Sequence, residues 1–228
     1  MKKQIRLLIE GLFDDLYNIE DEKNLDTEFT DKVLIKSKKQ LRKEIEEQLR
    51  IQGPDADLND IDVSTVTDMS YLFCGNFENV SKNFSKGLAI KNIKIDQWDV
   101  SKVKNMSYMF FYCYDFLGNG LENWDVSNVR DMSYMFNGCN AFRGESIENW
   151  DVSKVTNMKY MFCDCGFKFN PNLSNWDVSN VIDMSELFAC SYHYTGKGLN
   201  KWNINPNCNL KNMFISTHVR RRPKWYIE

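Results

Sequence analysis

Aspartates recur at one slot of a repeated motif, and a regular row of carboxylates has the chemistry of a binding stripe. The row is Asp62, Asp99, Asp125, Asp151 and Asp177. One interpretation is that it binds a divalent cation such as calcium, or a basic partner surface. The other is structural, with each carboxylate accepting hydrogen bonds from backbone N–H groups or from the serine two residues later. We favour the structural interpretation, because a residue that recurs in five successive repeats, with Asn203 in the sixth, is one that the repeat needs in order to pack.

Cysteines form a second set with regular spacing. Cys113, Cys139 and Cys165 stand 26 residues apart. This row predicts small buried side chains in a reducing compartment rather than a disulfide framework, since the seven cysteines are also odd in number. Zinc binding is the alternative, because Cys163 and Cys165 form a Cys-x-Cys pair. No second cysteine or histidine cluster stands at ligand spacing, so we predict no metal site and no cofactor.

The two histidines, His193 and His218, offer no catalytic constellation. Neither stands at an identifiable spacing from a serine or cysteine nucleophile, and the sequence lacks the glycine-rich motifs that bind phosphate. We therefore predict that the protein is not an enzyme.

Charge and hydropathy limit the partners. The formal net charge of −3 gives no electrostatic reason to expect nucleic-acid binding. No apolar run reaches the roughly 18 residues that a membrane span needs, so we predict no membrane insertion. Glu10 and Asp14 interrupt the N-terminal apolar run. We therefore expect no Sec signal peptide and a cytoplasmic or virion location.

Tryptophans mark the repeat that positions all of these residues. They lie 26 residues apart, at Trp98, Trp124, Trp150, Trp176 and Trp202. Ile61 holds the same slot 37 residues before the first of them, so the first repeat carries an 11-residue insertion between Cys74 and Lys94. Nine of the ten methionines and five of the six tryptophans occupy repeat slots, which predicts core packing rather than a cofactor-lining role.

Each repeat has two halves with different periodicities. In the first half, Trp124 and Val126 stand two apart, in the apolar pattern of a leucine-rich-repeat strand. In the second half, Met132, Met135 and Phe136 follow the i, i+3, i+4 spacing of a short helix. An Asp or Asn precedes each predicted helix as its N-cap: Asp68, Asn105, Asp131, Asn157, Asp183 and Asn209. We predict an α/β fold, a leucine-rich-repeat-like solenoid of about six 26-residue strand–helix coils with a helical N-terminal cap.

The sequence divides into four predicted regions. Residues 1–31 form an amphipathic helix and an acidic linker, and residues 32–54 form the helical N-terminal cap, with Ser37 starting its helix. The repeat solenoid covers residues 55–214. Residues 215–228 form a C-terminal cap or tail, whose basic and aromatic residues either lie in solvent at the cap edge or contact an acidic partner or RNA. The solvated edge is the favoured interpretation.

The loops that follow the second half of each repeat are rich in Phe and Tyr, which are enriched at interface cores. We expect one aromatic residue of each loop to close the core: Phe116, Phe142, Phe167 or Phe169, and Tyr194. The candidate contact residues from these loops are Tyr112, Tyr114, Phe116, Arg143, Lys168, Phe169, Tyr192, His193 and Tyr194. Those from the aspartate row are Asp99, Asp125, Asp151 and Asp177.

Residues 123–136 and 149–162 share the motif Asn-Trp-Asp-Val-Ser-x-Val-x-x-Met-x-Tyr-Met-Phe. It resembles the 26-residue repeat of the BspA-like family of bacterial surface proteins, a relative of the leucine-rich repeats, over about two thirds of the chain. The resemblance implies a solenoid used for adhesion or protein recognition, in surface lipoproteins and in short proteins of gut anaerobes and their phages. It implies no catalysis.

The predicted function is a non-catalytic protein-recognition module with a protein partner. The alternative is a structural virion (phage) or assembly component that docks through residues 1–20 and forms an oligomer or larger assembly. A recognition module is expected to be a monomer, whereas an assembly subunit associates as its concentration rises. A third interpretation is carbohydrate binding by exposed aromatic residues, which would be lost on mutating Tyr112 or Tyr114.

Overall fold

Regular elements are few in the part of the chain that the structure describes. A computed structural model describes residues 33–34, 37–74, 88–219 and 222–226. Its elements are strand β1 (Val33–Leu34), helix α1 (Lys38–Gln52) and strand β2 (Ile61–Asp62), followed by single-turn 3-10 helices at Leu121–Asn123, Glu145–Ile147 and Leu199–Lys201. β1 pairs with β2 in parallel, with Val33 opposite Ile61. The helix and linker predicted for residues 1–31 lie outside the described residues.

The predicted fold class is wrong. The described residues contain one α-helix and one two-stranded sheet, not the strand–helix coils of an α/β leucine-rich-repeat solenoid. Stacked repeats made almost entirely of turns take their place. We number these repeats 1 to 6 by the residue in the tryptophan slot, from Ile61 in repeat 1 to Trp202 in repeat 6.

The segments predicted as short helices are runs of β-turns. In repeat 3, the N–H of Met135 donates to the carbonyl of Met132 at 3.2 Å, across Tyr134 with a φ of 59°. The N–H of Cys139 then donates to Phe136 at 3.0 Å, across a glycine with a φ of 75°. Turns closed by i to i+3 hydrogen bonds bring residues three apart to the same side, so their apolar pattern imitates that of a helix.

Apart from β2 in repeat 1, the segments predicted as strands are also irregular. The N–H of Trp124 donates to Leu121 at 3.2 Å and that of Val129 to Val126 at 2.9 Å, so turns close both ends of the segment. The side chains still alternate, because Trp124 and Val126 are buried and Asp125 is exposed. Alternation alone does not make a strand, which also needs a hydrogen-bonded neighbouring backbone.

Backbone hydrogen bonds join the turn half of each repeat to the next repeat. From repeat 3 to repeat 4 they run at 2.9–3.0 Å from Met132 to Asn157, from Tyr134 to Lys159, from Phe136 to Met161 and from Gly138 to Cys163. The N–H always belongs to the earlier repeat and the carbonyl to the later one. One neighbouring column, such as Arg130 N–H to Lys104, runs the other way. Most of these peptide groups are therefore aligned in one direction along the stack.

Columns of aromatic rings fill the core, as the sequence predicts. Neighbouring rings of the longest column have centroids 5.1–5.9 Å apart, along Phe73, Phe110, Phe136, Phe162, Phe188 and Phe214. The tryptophans of the repeats are also buried, and each donates its Nε1–H to a carbonyl of the preceding repeat, as Trp124 does to Ile95 at 2.9 Å. The prediction that these are packing residues is confirmed.

Helix α1 covers the start of the stack. It begins after Ser37, whose Oγ accepts the N–H of Gln40, and ends at Gly53, whose φ is 82°. Leu41 and Ile45 are fully buried against repeat 1. The prediction that Ser37 starts this helix is confirmed.

The last described residues cover part of the other end. Trp225 stacks on Trp202 with ring centroids 6.2 Å apart, and it donates its Nε1–H to Leu199 at 2.9 Å. Trp225 therefore adds one more ring to the tryptophan column and makes the same kind of hydrogen bond as the tryptophans of the repeats. The division of the chain into four regions stays a prediction.

Candidate functional site

The predicted aspartate row lies at an exposed edge, where each carboxylate closes a turn. Asp99, Asp125, Asp151 and Asp177 are exposed. Each accepts a backbone N–H at 3.0 Å from the serine two residues later: Ser101, Ser127, Ser153 and Ser179. Hydrogen bonds from the hydroxyl and N–H of that serine lower the pKa of Asp151. The structural interpretation is confirmed, and partner binding by this row stays a prediction.

A second row alternates Asp and Asn from repeat to repeat. Its members are joined by parallel bridges in the order Asp68, Asn105, Asp131, Asn157, Asp183 and Asn209. Asn157 Nδ2 donates to Asp131 at 3.2 Å and Asn209 Nδ2 to Asp183 at 3.3 Å. The alternation keeps carboxylates from being neighbours, which would cost Coulomb energy. These residues close turns instead of capping helices, because the predicted helices are absent.

The predicted cysteine row is buried and hydrogen-bonded. Cys113, Cys139 and Cys165 donate S–H to carbonyls of the preceding repeat at 3.1–3.4 Å. Burial raises the pKa of all three thiols well above the ordinary value. Ser191 holds the next position and donates its hydroxyl to Phe162 in the same way. A buried, protonated thiol is a poor nucleophile and a poor metal ligand, so these residues serve packing.

The loop candidates divide into buried and accessible residues. Phe116, Phe169 and Tyr194 have at most 1% of their surface exposed, and they pack against the phenylalanine column. A partner cannot contact them without opening the core. The expectation that one aromatic residue of each loop closes the core is confirmed for these three and for Phe142, which is fully buried and stacks on Phe136 at 4.3 Å.

The remaining loop candidates lie at the surface in two places. Arg143, Lys168, Tyr192 and His193 are exposed, and Tyr112 and Tyr114 are half-buried. Near the C-terminal end, the ring of His218 lies 6.2 Å from that of Tyr192 and 6.3 Å from that of His193. Tyr112 and Tyr114 instead face repeat 3 and are distant in sequence from the group near His218.

Four tyrosines form a ridge that the sequence analysis overlooks. Tyr71, Tyr108, Tyr134 and Tyr160 occupy one slot of repeats 1 to 4, and their ring centroids stack 4.4–4.7 Å apart. All four are half-buried, with φ between 56° and 63°. The positive φ turns each ring along the stack onto its neighbour. The sequence signal for this ridge is a tyrosine at the same slot of four repeats. The predicted contact residues instead come from the variable loops and the aspartate row.

Three more aromatic residues extend this ridge sideways. The ring of Phe111 lies 5.2 Å from that of Tyr108 and 4.4 Å from that of Tyr112, which in turn lies 5.6 Å from that of Tyr114. All are half-buried. The Tyr112 ring also lies over Gly138, where a Cβ would come within 2.4 Å of it. We call the seven residues the tyrosine ridge: Tyr71, Tyr108, Phe111, Tyr112, Tyr114, Tyr134 and Tyr160.

The ridge is uncharged at neutral pH. Burial raises the pKa of Tyr108 and Tyr134 above the ordinary value. A hydrogen bond to Glu186, together with burial, raises the pKa of Tyr160 to about 12. These three phenols therefore stay protonated, and the ridge presents apolar ring faces together with hydroxyl groups. Such a surface suits contacts with another protein.

Neither a metal site nor a membrane span is found in the described part of the chain. No group of three or more His, Cys, Asp or Glu side chains there has the arrangement of a metal site. None of its helices has the length and apolarity that crossing a bilayer requires.

Comparison with known proteins gives a family but no characterised relative. Neither the curated proteins nor the solved structures include a match. One family matches over three overlapping stretches, residues 43–118, 76–188 and 111–224, which together span most of the chain. It is associated with BspA-like repeats. By this match the chain belongs to the family described as "Mycoplasma protein of unknown function, DUF285".

Proposed function

We propose that the protein is a non-catalytic recognition module that binds a protein partner through the tyrosine ridge. The observation that carries this proposal is the ridge itself, seven mutually contacting, half-buried aromatic side chains on one surface. Tyrosine is enriched at the centres of interfaces, where its large ring and hydroxyl both find partners.

The ridge is also rigid before any partner arrives. Its tyrosines rest on buried neighbours, since Met132, Met135 and Phe136 on either side of Tyr134 have no exposed surface. Each ring is further held by the ring of the next repeat. Binding then orders few side chains, which lowers the entropic cost of association.

The resemblance to BspA-like repeats of bacterial surface proteins fits this proposal, because that family is used for adhesion and recognition. The assembly alternative needs residues 1–20, which lie outside the described residues.

The test compares partner capture by the native chain and by the double variant Tyr108→Asn/Tyr134→Asn. Asparagine suits this slot, because Asn212 occupies it in repeat 6 with a φ of 56°. We expect retention of the native partner to fall at least about tenfold, as loss of central aromatic contacts does elsewhere.

The matched control is Tyr192→Asn, which makes the same change on the exposed group near His218. Capture is expected to survive this change. If capture is lost with Tyr192→Asn but not with the ridge variant, the partner contacts the exposed group near His218 and not the ridge. Binding of a glycan that depends on Tyr112 or Tyr114 would favour carbohydrate recognition instead.

A further inference from the structure

The C-terminal end of the stack presents a row of unused backbone donors. In repeat 6 the carbonyls of the aligned peptide groups accept from repeat 5, as Lys211 does from Glu186 N–H at 3.0 Å. The N–H groups on the other side of the same peptides belong to Leu210, Asn212, Phe214 and Ser216. No described residue accepts a hydrogen bond from any of the four. We call this row the donor edge.

A pocket lies along the donor edge. Its volume is about 750 Å³, and all four donor residues line it. The far wall is formed by Tyr226, whose ring meets that of Phe214 edge-on at 4.9 Å. Residues 222–226 thus cover the tryptophan column beside the edge, yet they supply no acceptor to it.

The pocket is electropositive. Lys211 and Arg222 line it, and no acidic side chain does so among the described residues. Arg222 lies over the Tyr226 ring at 5.5 Å. The aligned peptide dipoles add partial positive charge at the same end, because their N–H groups point there, as at the N-terminus of a helix. Both sources of charge favour an anionic occupant.

A second copy of the chain does not fit this edge. Two donor edges brought together would place N–H against N–H with no acceptor between them. Head-to-tail stacking would need the carbonyl end of repeat 1, which helix α1 covers: Arg42 donates to the Cys74 carbonyl at 2.6 Å, and Lys38 donates to Ser70 Oγ at 2.8 Å. The occupant therefore has to supply carbonyl acceptors from another protein.

We propose that the donor edge is a second docking surface, which binds an extended acidic segment of another protein. The segment lies along repeat 6 as a further rung of the ladder, and its carbonyls accept from the four free N–H groups. Its carboxylates pair with Lys211. This is a form of strand addition, in which backbone bonds supply affinity and charge supplies selectivity.

The probe is a short synthetic peptide of alternating Glu and Val, blocked at both ends, titrated into the full ¹⁵N-labelled chain. We expect the amide signals of Leu210, Asn212, Phe214 and Ser216 to shift more than those of repeats 2 to 4. A matching peptide of alternating Lys and Val is expected to leave them in place.

Charge reversal supplies the second readout. Lys211→Glu is expected to weaken peptide binding at least about tenfold, because like charges then face each other. Lys102→Glu, an exposed lysine of repeat 2, is the matched control and is expected to bind normally.

Three results would overturn the proposal. They are equal binding of the Lys peptide, shifts centred on the tyrosine ridge, and no binding of the Glu peptide to a folded chain. A dimer that forms through residues 210–216 would show instead that the occupant is a second copy. The ridge variants are scored by capture of the native partner and not by peptide titration, so the two surfaces are tested independently.

Discussion

Tyr194 carries a buried hydroxyl group that has no hydrogen-bond partner among the described residues. The slot it fills holds Phe116, Phe142 and Phe169 in the preceding repeats, and its ring stacks on Phe188 at 4.4 Å in the same manner. A buried hydroxyl without a partner loses its bond to water and regains nothing. The hydroxyl therefore costs stability at a position that the rest of the stack fills with phenylalanine.

Tyr194→Phe is expected to raise the free energy of unfolding by about 1 kcal/mol, because it removes an unpaired polar group without leaving a cavity. Urea denaturation measures the difference. Tyr160→Phe is the matched control, since its hydroxyl bonds to Glu186 and its loss is expected to be neutral or destabilising. A destabilised Tyr194→Phe chain would show that the hydroxyl has a partner in the native protein.

At the scale of single residues, the sequence predicts most of the core packing that the structure shows. The 26-residue spacing places the tryptophan, phenylalanine and cysteine columns correctly, because identical residues in stacked repeats meet one another. The spacing does not show that Tyr134 has a positive φ, which brings the ridge together. A bulky residue rarely adopts that conformation, so no sequence rule predicts it.

Helix α1 and the turn runs show why one element is predictable and the other is not. The helix has a start signal at Ser37, a stop signal at Gly53 and about four turns between them. The turn runs have apolar residues at the same spacing but are too short to be stable helices alone. Their N–H groups bond to the next repeat, as Tyr134 does to Lys159, and are then unavailable for helical bonds.

α1 also matches the polarity of the stack. The carbonyl end of the aligned peptides carries partial negative charge, and Lys38 and Arg42 lie over it. Lys38 forms an ion pair with Asp68 at 2.7 Å, and hydrogen bonds from Lys38 and Ser70 lower the pKa of that carboxyl against the opposing effect of burial. The helix is thus an electrostatic cap as well as an apolar one.

Arg42→Ala is expected to lower the free energy of unfolding by about 2–3 kcal/mol, since it removes two charged hydrogen bonds to the carbonyls of Tyr71 and Cys74. Thermal and urea unfolding of the full chain give the value. Arg50→Ala, which removes an exposed ion pair with Glu47 on the same helix, is expected to change little. Equal effects from both changes would mean that α1 contributes only through its apolar face.

The whole molecule depends on protonated groups held in its core. Burial raises the pKa of Cys113, Cys139 and Cys165, and burial with neighbouring charges raises that of Cys163 to about 12. In the unfolded chain these thiols titrate near the ordinary pKa of about 8.5. Above that pH the unfolded state loses protons that the folded state keeps. Stability is therefore full below this value and falls as the pH rises towards the folded pKa values.

The free energy of unfolding is expected to be lower at about pH 10 than at about pH 8, as measured by urea denaturation at both. Replacing the three fully buried cysteines by serine tests the cause, because Ser191 already fills that slot and serine does not titrate in this range. The triple variant is expected to lose less stability on going to alkaline pH. An identical loss in both chains would assign the effect to the tyrosines instead.

The alternation of Asp and Asn along the stack limits how the number of repeats can change during evolution. Duplication or deletion of one repeat would place two carboxylates, or two amides, side by side in the row from Asp68 to Asn209. Gain or loss of two repeats together preserves the order. We therefore expect repeats to be gained or lost in pairs, so that homologous chains differ in length by an even number of repeats.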